Sequence, residues 1–306
     1  MIDAATRRKM QQGRESSEPT NNPTDDLDAD TMAADYPPRG NFVFLLPPTV
    51  YGFDMYANKW LRLVVSRISH IRWEKKPFDK LIMDPDTKDL LYAIVSDRAR
   101  TETYPNPDMI NSKKGGLFLL FYGAPGTGKT FTGECIAEYV KKPLQKISLA
   151  NAETNANELE RKFQLALYLG KIWGSVTVLE IEDTRNAIVT PLMRFLDETS
   201  GIVILKTDVG THKIGPLETR VHLKCRFALD YASHGLENLW RFFIHQIVEQ
   251  GIAEENLLDH VDHLTKRHNF NAYKIRNTIS TATKLASHRG RKLDYYVICE
   301  VMKVLA

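Results

Sequence analysis

Cysteine is scarce: Cys135, Cys225 and Cys299 are the only three in 306 residues, odd in number and far apart. A disulfide framework or a zinc knuckle needs more thiols at closer spacing, so neither is expected. Long apolar runs are also lacking. The uncharged apolar stretches, of which Leu117–Tyr122 is typical, fall far short of the ~18 residues that a membrane-spanning helix needs. The opening residues, MIDAATRRKMQQGRESS, hold no apolar stretch to serve as a secretory signal. Nor does one charge sign dominate. Lys+Arg 41 against Asp+Glu 38 leaves +3, too balanced to argue for nucleic acid or an anionic membrane from total charge. Basic pairs such as Lys75-Lys76, Lys113-Lys114 and Lys141-Lys142 are too scattered for a nucleic-acid stripe. The nine histidines show no H-E-x-x-H, and His260, His263 and His268 share an expected helix without cysteines nearby, so solvated histidines are expected there. No G-x-S-x-G elbow and no internal repeat is present. What remains is a soluble, intracellular protein long enough for about two domains of roughly 150 residues.

What charge there is lies unevenly. Residues 1–40 hold five Lys/Arg and eight Asp/Glu, a net −3, which leaves +6 on the other 266. With Glu18-Pro19, Asn22-Pro23, the acidic run Asp25–Asp30, Pro37-Pro38 and little to bury, this segment cannot offset its ordering entropy, and a disordered acidic tail is expected. Residues 41–108 read as an approach or adaptor segment. Asn41–Leu46 is apolar and β-prone, Lys59–His70 reads as a helix weakened by its Val pair, and Asp86–Arg100 carries Leu90, Leu91, Ile94 and Val95 at helical spacing. The prolines of Tyr104–Asp108 then impose a loop.

Over residues 109–232 strands and helices alternate. Leu117–Tyr122 reads as a buried central strand, followed by similar runs at Val176–Leu179 and Gly201–Leu205 and a weaker one at Val221–Leu229. Asn155–Trp173 and Arg185–Glu198 between them have helical periodicity. The expected class is α/β, a parallel sheet covered on both faces. From 233 to 306 only helices are expected: His234–Gln250, Glu254–His268, Ala272–His288 and Asp294–Leu305.

Directly after the first of these strands stands Gly123-Ala124-Pro125-Gly126-Thr127-Gly128-Lys129-Thr130. It fits G-x-x-x-x-G-K-[ST] between a strand and a helix, the context that a phosphate-binding P-loop requires. Glycines let successive backbone N–H groups curl around phosphates where a side chain would block approach. Lys129 reaches the β- and γ-phosphates, Thr130 offers its hydroxyl to Mg²⁺, and the helix start adds its positive end. An accidental match arises in roughly one chain per hundred of this length, before the flanking strand and helix are required.

Such a loop also needs an acidic strand end to hold Mg²⁺ and prepare water. It should follow Val176–Leu179, where the sequence reads VTVLEIEDTRN, and Glu180, Glu182 and Asp183 are the candidates. A solvated acidic start to the following helix is the competing reading of these residues.

With these residues in hand the chain resembles a AAA-type ATPase, and more narrowly is similar to fungal proteins with a AAA ATPase core domain. The resemblance runs from about Phe42 to the C-terminus through LLPPTVYGFD (Leu45–Asp54), Trp73…Phe78-Asp79-Lys80-Leu81, Lys113–Thr130, Lys141–Leu144, Arg185-Asn186-Ala187, Val209-Gly210-Thr211, Thr219-Arg220-Val221, Leu239-Trp240-Arg241 and Ile275-Arg276-Asn277. It implies a P-loop NTPase fold with a three-layer parallel sheet of order 5-1-4-3-2 and a small helical lid. It further implies ATP and Mg²⁺ as cofactors, hydrolysis of ATP coupled to remodelling a macromolecular, protein substrate, and ring assemblies of like subunits. Gly123–Thr130 would bind nucleotide, Thr130, Glu182 and Asp183 the metal, and Glu182, Asp183 and Arg220 would be catalytic, Arg220 acting on a neighbour's ATP with Arg226 as the alternative.

Three departures stand out against that resemblance. The third strand lacks a clean Asp-Glu ending, and the stretch before Arg185 is short, whether by deletion or by an imperfect gene model. The polar sensor of the fourth strand is Asp208 rather than Asn, an acid that electrostatics disfavours near a γ-phosphate. The lid's phosphate-sensing arginine aligns with Tyr273, which leaves Arg276 as a substitute. These departures motivate a second reading, an ATP-binding module with impaired hydrolysis that uses nucleotide to control assembly.

Overall fold

The structure, a computed structural model, describes residues 1–3, 6, 7, 9, 10, 36, 46–103, 115–149, 156–181, 186–208, 217, 219–227, 234–267 and 270–305. They group into two compact units, Met1–Arg72 and Trp73–Ala306.

In the first unit β1 (Thr49–Asp54) and β2 (Lys59–Val64) form an antiparallel hairpin with Phe53 opposite Trp60. The helix expected over Lys59–His70 does not form: its first half is strand, and Val65–Arg67 is a single 3-10 turn. β-Branched Val64 and Val65 resist helix, and the preceding turn aligns the segment for pairing. There the Asp54 carboxylate accepts hydrogen bonds from the backbone N–H of Tyr56 (2.8 Å) and Ala57 (3.1 Å), while Asn58 adopts a left-handed φ of +51°. Met1 joins this hairpin, its ammonium donating to the Phe53 carbonyl at 2.9 Å and its own carbonyl accepting from Phe53 N–H at 2.7 Å. Most of the expected acidic tail, including Asp25–Asp30, and the apolar residues 41–45 lie outside the described residues.

The second unit opens with α1 (Pro85–Thr103) and continues as β3 (Leu117–Gly123), α2 (Lys129–Val140), β4 (Leu144–Ser148), α3 (Ala156–Trp173), β5 (Val176–Ile181), α4 (Asn186–Glu198), β6 (Ile202–Thr207) and β7 (Leu223–Phe227). The five strands pair in parallel in the order β4-β5-β6-β3-β7. Counted from β3 along the chain, that is the expected 5-1-4-3-2 arrangement read from the opposite edge. Strands buried on both faces have no polar side to present, which is why β3, β5 and β6 read as continuous apolar runs. One face packs Leu119, Phe121, Val178 and Ile204 under α1 and α2 through Leu91, Val95 and Ile136; the other packs Leu120, Leu179, Ile181 and Leu205 under α3 and α4 through Phe163, Leu192 and Phe195.

The lid follows as α5 (His234–Glu249), a 3-10 stretch Glu255–His260, α6 (Val261–Arg267), α7 (Ala272–His288) and α8 (Tyr295–Leu305). These elements close on a core of their own around the fully buried Trp240, with Ile244, Leu264, Ile275, Ala282, Val297 and Ile298. Among the described residues no helix is long and apolar enough to cross a membrane.

Candidate functional site

The P-loop joins the C-terminal end of β3, in the middle of the sheet, to the start of α2. Three glycines make the turn with positive φ: Gly123 at +140°, Gly126 at +76° and Gly128 at +100°. At Gly123 the need is absolute, because a Cβ there would sit 1.9 Å from the Phe227 carbonyl oxygen of β7. Gly128 is the N-cap of α2 and supplies no side-chain cap. The first-turn N–H groups of α2 therefore have no side-chain acceptor at the cap, and with the helix dipole they form a ready anion site.

Lys129 is 3% exposed. Its ammonium donates to the carbonyls of Gly123 (2.7 Å) and Ala124 (2.6 Å) and pairs with the Asp208 carboxylate at 2.8 Å. An ammonium has three protons, and these three acceptors use them. Burial pulls its pKa down; Asp208 opposes that shift, and the nearby Lys206 adds to it. The Thr127 hydroxyl donates to the Ala124 carbonyl at 2.8 Å and braces the loop from inside. Thr130 stands next in the first turn of α2, half-buried.

The lid touches the loop directly. Asn271, the N-cap of α7, accepts from Lys274 N–H at 2.8 Å and donates to the Pro125 carbonyl at 3.5 Å. A Cβ on Gly126 would meet Asn271 Nδ2 at 2.8 Å and Tyr273 Cβ at 3.3 Å. Tyr273 thus stands at the phosphate loop, where the resemblance places an arginine, while Arg276 lies exposed on α7.

At the acidic strand end, Glu182 and Asp183 lie outside the described residues, as do Arg185 and Val209-Gly210-Thr211. Glu180 closes the acid-bearing face of β5 and pairs with Lys206 Nζ of β6 at 2.8 Å. The next residue, Ile181, is 2% exposed and packs in the opposite core. Arg220 forms an ion pair with Asp197 of α4 within the same chain, both half-exposed; Arg226 is exposed on β7. Cys135 of α2 and Cys225 of β7 are buried in the same core, and burial pushes both thiols up to about 12.

Magnesium requires several oxygen donors. The described residues near the loop offer the Thr130 hydroxyl, Glu180 and Asp208, and each of the two carboxylates already holds an ammonium. Among the described residues no group of three or more His, Cys, Asp or Glu is placed to hold a metal. These residues by themselves do not fit a magnesium site; any remaining ligands would have to come from Glu182 and Asp183.

Sequence reading did not find the partners of these groups. Lys206 carries a visible signal, a charge in the otherwise apolar IVILKT strand, just as Glu180 interrupts VTVLEI one strand away. Their pairing depends on strand register, which spacing does not reveal.

Comparison with known proteins places this geometry among relatives. Residues 119–205 match the family described as "ATPase family associated with various cellular activities (AAA)". Lon protease of Lawsonia intracellularis is 28% identical over 134 residues, which is 42% of this chain and 16% of that protein's length. Among solved structures the FIGL-1 AAA domain in complex with ADP superposes with a TM-score of 0.57 at 16% identity, covering 79% of this chain and 88% of that one. C. elegans PCH-2 gives 0.51 at 13% identity, covering 68% of this chain and 66% of that one. At these identities the superpositions establish the fold alone.

Proposed function

We propose, for a chain that belongs to the AAA family of ATPases through residues 119–205, that its site at Gly123–Thr130 binds ATP and that the bound nucleotide drives a mechanical change between the sheet and the lid. The observation that carries this reading is the loop itself: three positive-φ glycines, a buried Lys129 and an α2 start without a side-chain cap. The ADP held by the similarly folded FIGL-1 domain supports it. Hydrolysis would proceed by water attacking the γ-phosphorus as the bond to the β–γ bridging oxygen breaks, leaving ADP and phosphate. Backbone N–H groups of the loop and Lys129 would hold the phosphoryl oxygens, and Glu182 and Asp183 would orient the water. Thr130 with Glu182 and Asp183 would hold Mg²⁺, which when bound neutralises the β- and γ-oxygens. Arg220 would act across an interface in a ring of like subunits, and a protein substrate would be remodelled by the motion. Phosphate release from the full chain, set against Lys129→Ala, tests this; a rate no greater than the variant's sinks it.

A second reading, nucleotide binding with little or no turnover, is favoured by one observation. The residue after Glu180 is the buried Ile181, and Glu180 is neutralised by Lys206. Sizing with and without ATP, run beside the same assay, separates the two. Assembly that follows ATP without phosphate release supports the binding module.

A further inference from the structure

Glu180 and Lys206 face each other across β5 and β6 in direct register, with their charged atoms 2.8 Å apart and their side chains 31% and 21% exposed. They belong to the face that α2 covers. One pleat earlier on the same face, Val178 and Ile204 lie directly under Gly133 of α2, where an added Cβ would stand 3.2 Å from Val178 Cγ2 and 3.4 Å from Ile204 Cδ1. A helix that follows a strand in a parallel sheet runs back against it. The next pleat toward the strands' C-terminal ends therefore lies under the turn that precedes Gly133, which is the turn of Lys129 and Thr130. The charge of Lys206 is close enough to disfavour the Lys129 ammonium. Two ammonium groups, Lys129 and Lys206, thus alternate with two carboxylates, Asp208 and Glu180, at the mouth of the phosphate site.

This arrangement does not suit a divalent cation at Glu180. A strand-end carboxylate attracts a metal with its net charge, and a charge-assisted bond at 2.8 Å to a tethered ammonium cancels most of that charge. A polyphosphate carries several negative charges and can compete with the single charge of Glu180 for the Lys206 ammonium, as it competes with Asp208 for Lys129. We propose that Lys206 is a tethered cation of the phosphate site, supplying charge compensation that a divalent ion would otherwise bring, so that the chain binds nucleoside triphosphate without Mg²⁺. This rests on the nucleotide-binding reading of the same loop and extends it to the metal requirement for binding, leaving turnover aside.

The test is titration of a fluorescent ATP analogue into the full chain in excess Mg²⁺ and in excess EDTA. Wild type should change its dissociation constant by less than about threefold between the two buffers, whereas Lys206→Met should bind about tenfold more weakly than wild type in EDTA and recover when Mg²⁺ is restored to the freed Glu180. Lys206→Arg keeps the charge and should bind in EDTA like wild type. The proposal is overturned if wild type loses about tenfold or more on chelation, a comparison that needs no variant to fold. It is also overturned if folded Lys206→Met matches wild type in EDTA, or if chelation weakens wild type and Glu182→Gln with Asp183→Asn abolishes the metal effect. Lys129→Ala separates the two levels. Wild-type binding no better than this variant in either buffer removes the nucleotide site itself, while Lys129-dependent binding that needs Mg²⁺ removes only the role of Lys206.

Discussion

Lys129 Nζ lies 2.8 Å from a carboxylate oxygen of Asp208, so the lysine that would contact phosphate is held by an acid at the end of the neighbouring strand. A polyphosphate arriving at the loop must take Lys129 from that acid and then tolerate its charge. Asp208→Asn should therefore tighten nucleotide binding, by about three- to tenfold for a partly exposed like charge near the ligand. Calorimetric titration of wild type and variant at low and high salt checks this; the gain should shrink as salt rises. Weaker binding would show that Asp208 assists the ligand instead, and unchanged binding that its charge is not felt there.

The glycines of the loop should not tolerate alanine equally. Gly123→Ala places a Cβ 1.9 Å from the Phe227 carbonyl, backbone against backbone, at a φ of +140°. Separating β3 from β7 at that point should cost about 3 kcal/mol or more. Gly128→Ala meets nothing within 4 Å, and its cost is mainly the left-handed backbone, about 1–2 kcal/mol. Thermal or urea unfolding of the pair should rank them in that order.

Arg220 is bound to Asp197 of its own chain. Acting on a neighbour's nucleotide means exchanging that partner for phosphate. Under the ATPase reading, Arg220→Ala should leave nucleotide affinity within about twofold of wild type and reduce turnover by roughly 10³–10⁵-fold. Mixing Arg220→Ala with Lys129→Ala should recover part of the activity, since each mixed interface can pair an intact loop with an intact arginine. No recovery on mixing would place the arginine's role, if any, within one chain.

Cys135 and Cys225 have thiols pushed up to about 12 by burial, from 9.0. The folded chain therefore keeps protons that the unfolded chain releases. Stability from these groups is complete below pH 9 and is lost as pH rises from 9 toward 12. The Cys135→Ala, Cys225→Ala double variant should show a flatter decline in unfolding free energy over that window. A thiol reagent at pH 8 should label either residue only as fast as the fold opens.

Wherever burial on two faces or a 3.6-residue period governs a segment, composition alone displays it: β3, β5, β6, α3, α5, α7 and α8 stand close to where patterning places them. Elements that are half-buried at an edge leave a mixed record. β4, LQKIS, buries Gln145 and Ile147 while its other residues stay partly or fully exposed, so it shows no apolar run and escaped detection. Lys59–Val64 mixes apolar and basic positions much as an amphipathic helix does, and only the Asp54–Asn58 turn reveals it as a hairpin arm. Glu254–His268 reads as one helix, yet Glu255–His260 is a 3-10 stretch that precedes α6. The loop was legible because phosphate geometry demands particular residues at particular spacings. Its counter-charges, Asp208 and the Glu180–Lys206 pair, come from strands brought together by the sheet, and no local pattern announces such a meeting.

The close fit of Gly123 against Phe227 reaches beyond the loop. The chain leaves β7 at Phe227 on its way to the lid, and the lid returns through Asn271 to the Pro125 carbonyl. The phosphate loop is thus touched by two segments that bracket the lid's first helices in sequence, the end of β7 and the N-cap of α7. A shift of the loop would be felt at both contacts at once, by the strand that precedes the lid in sequence and by the N-cap of α7, whose helix belongs to the lid's separate core.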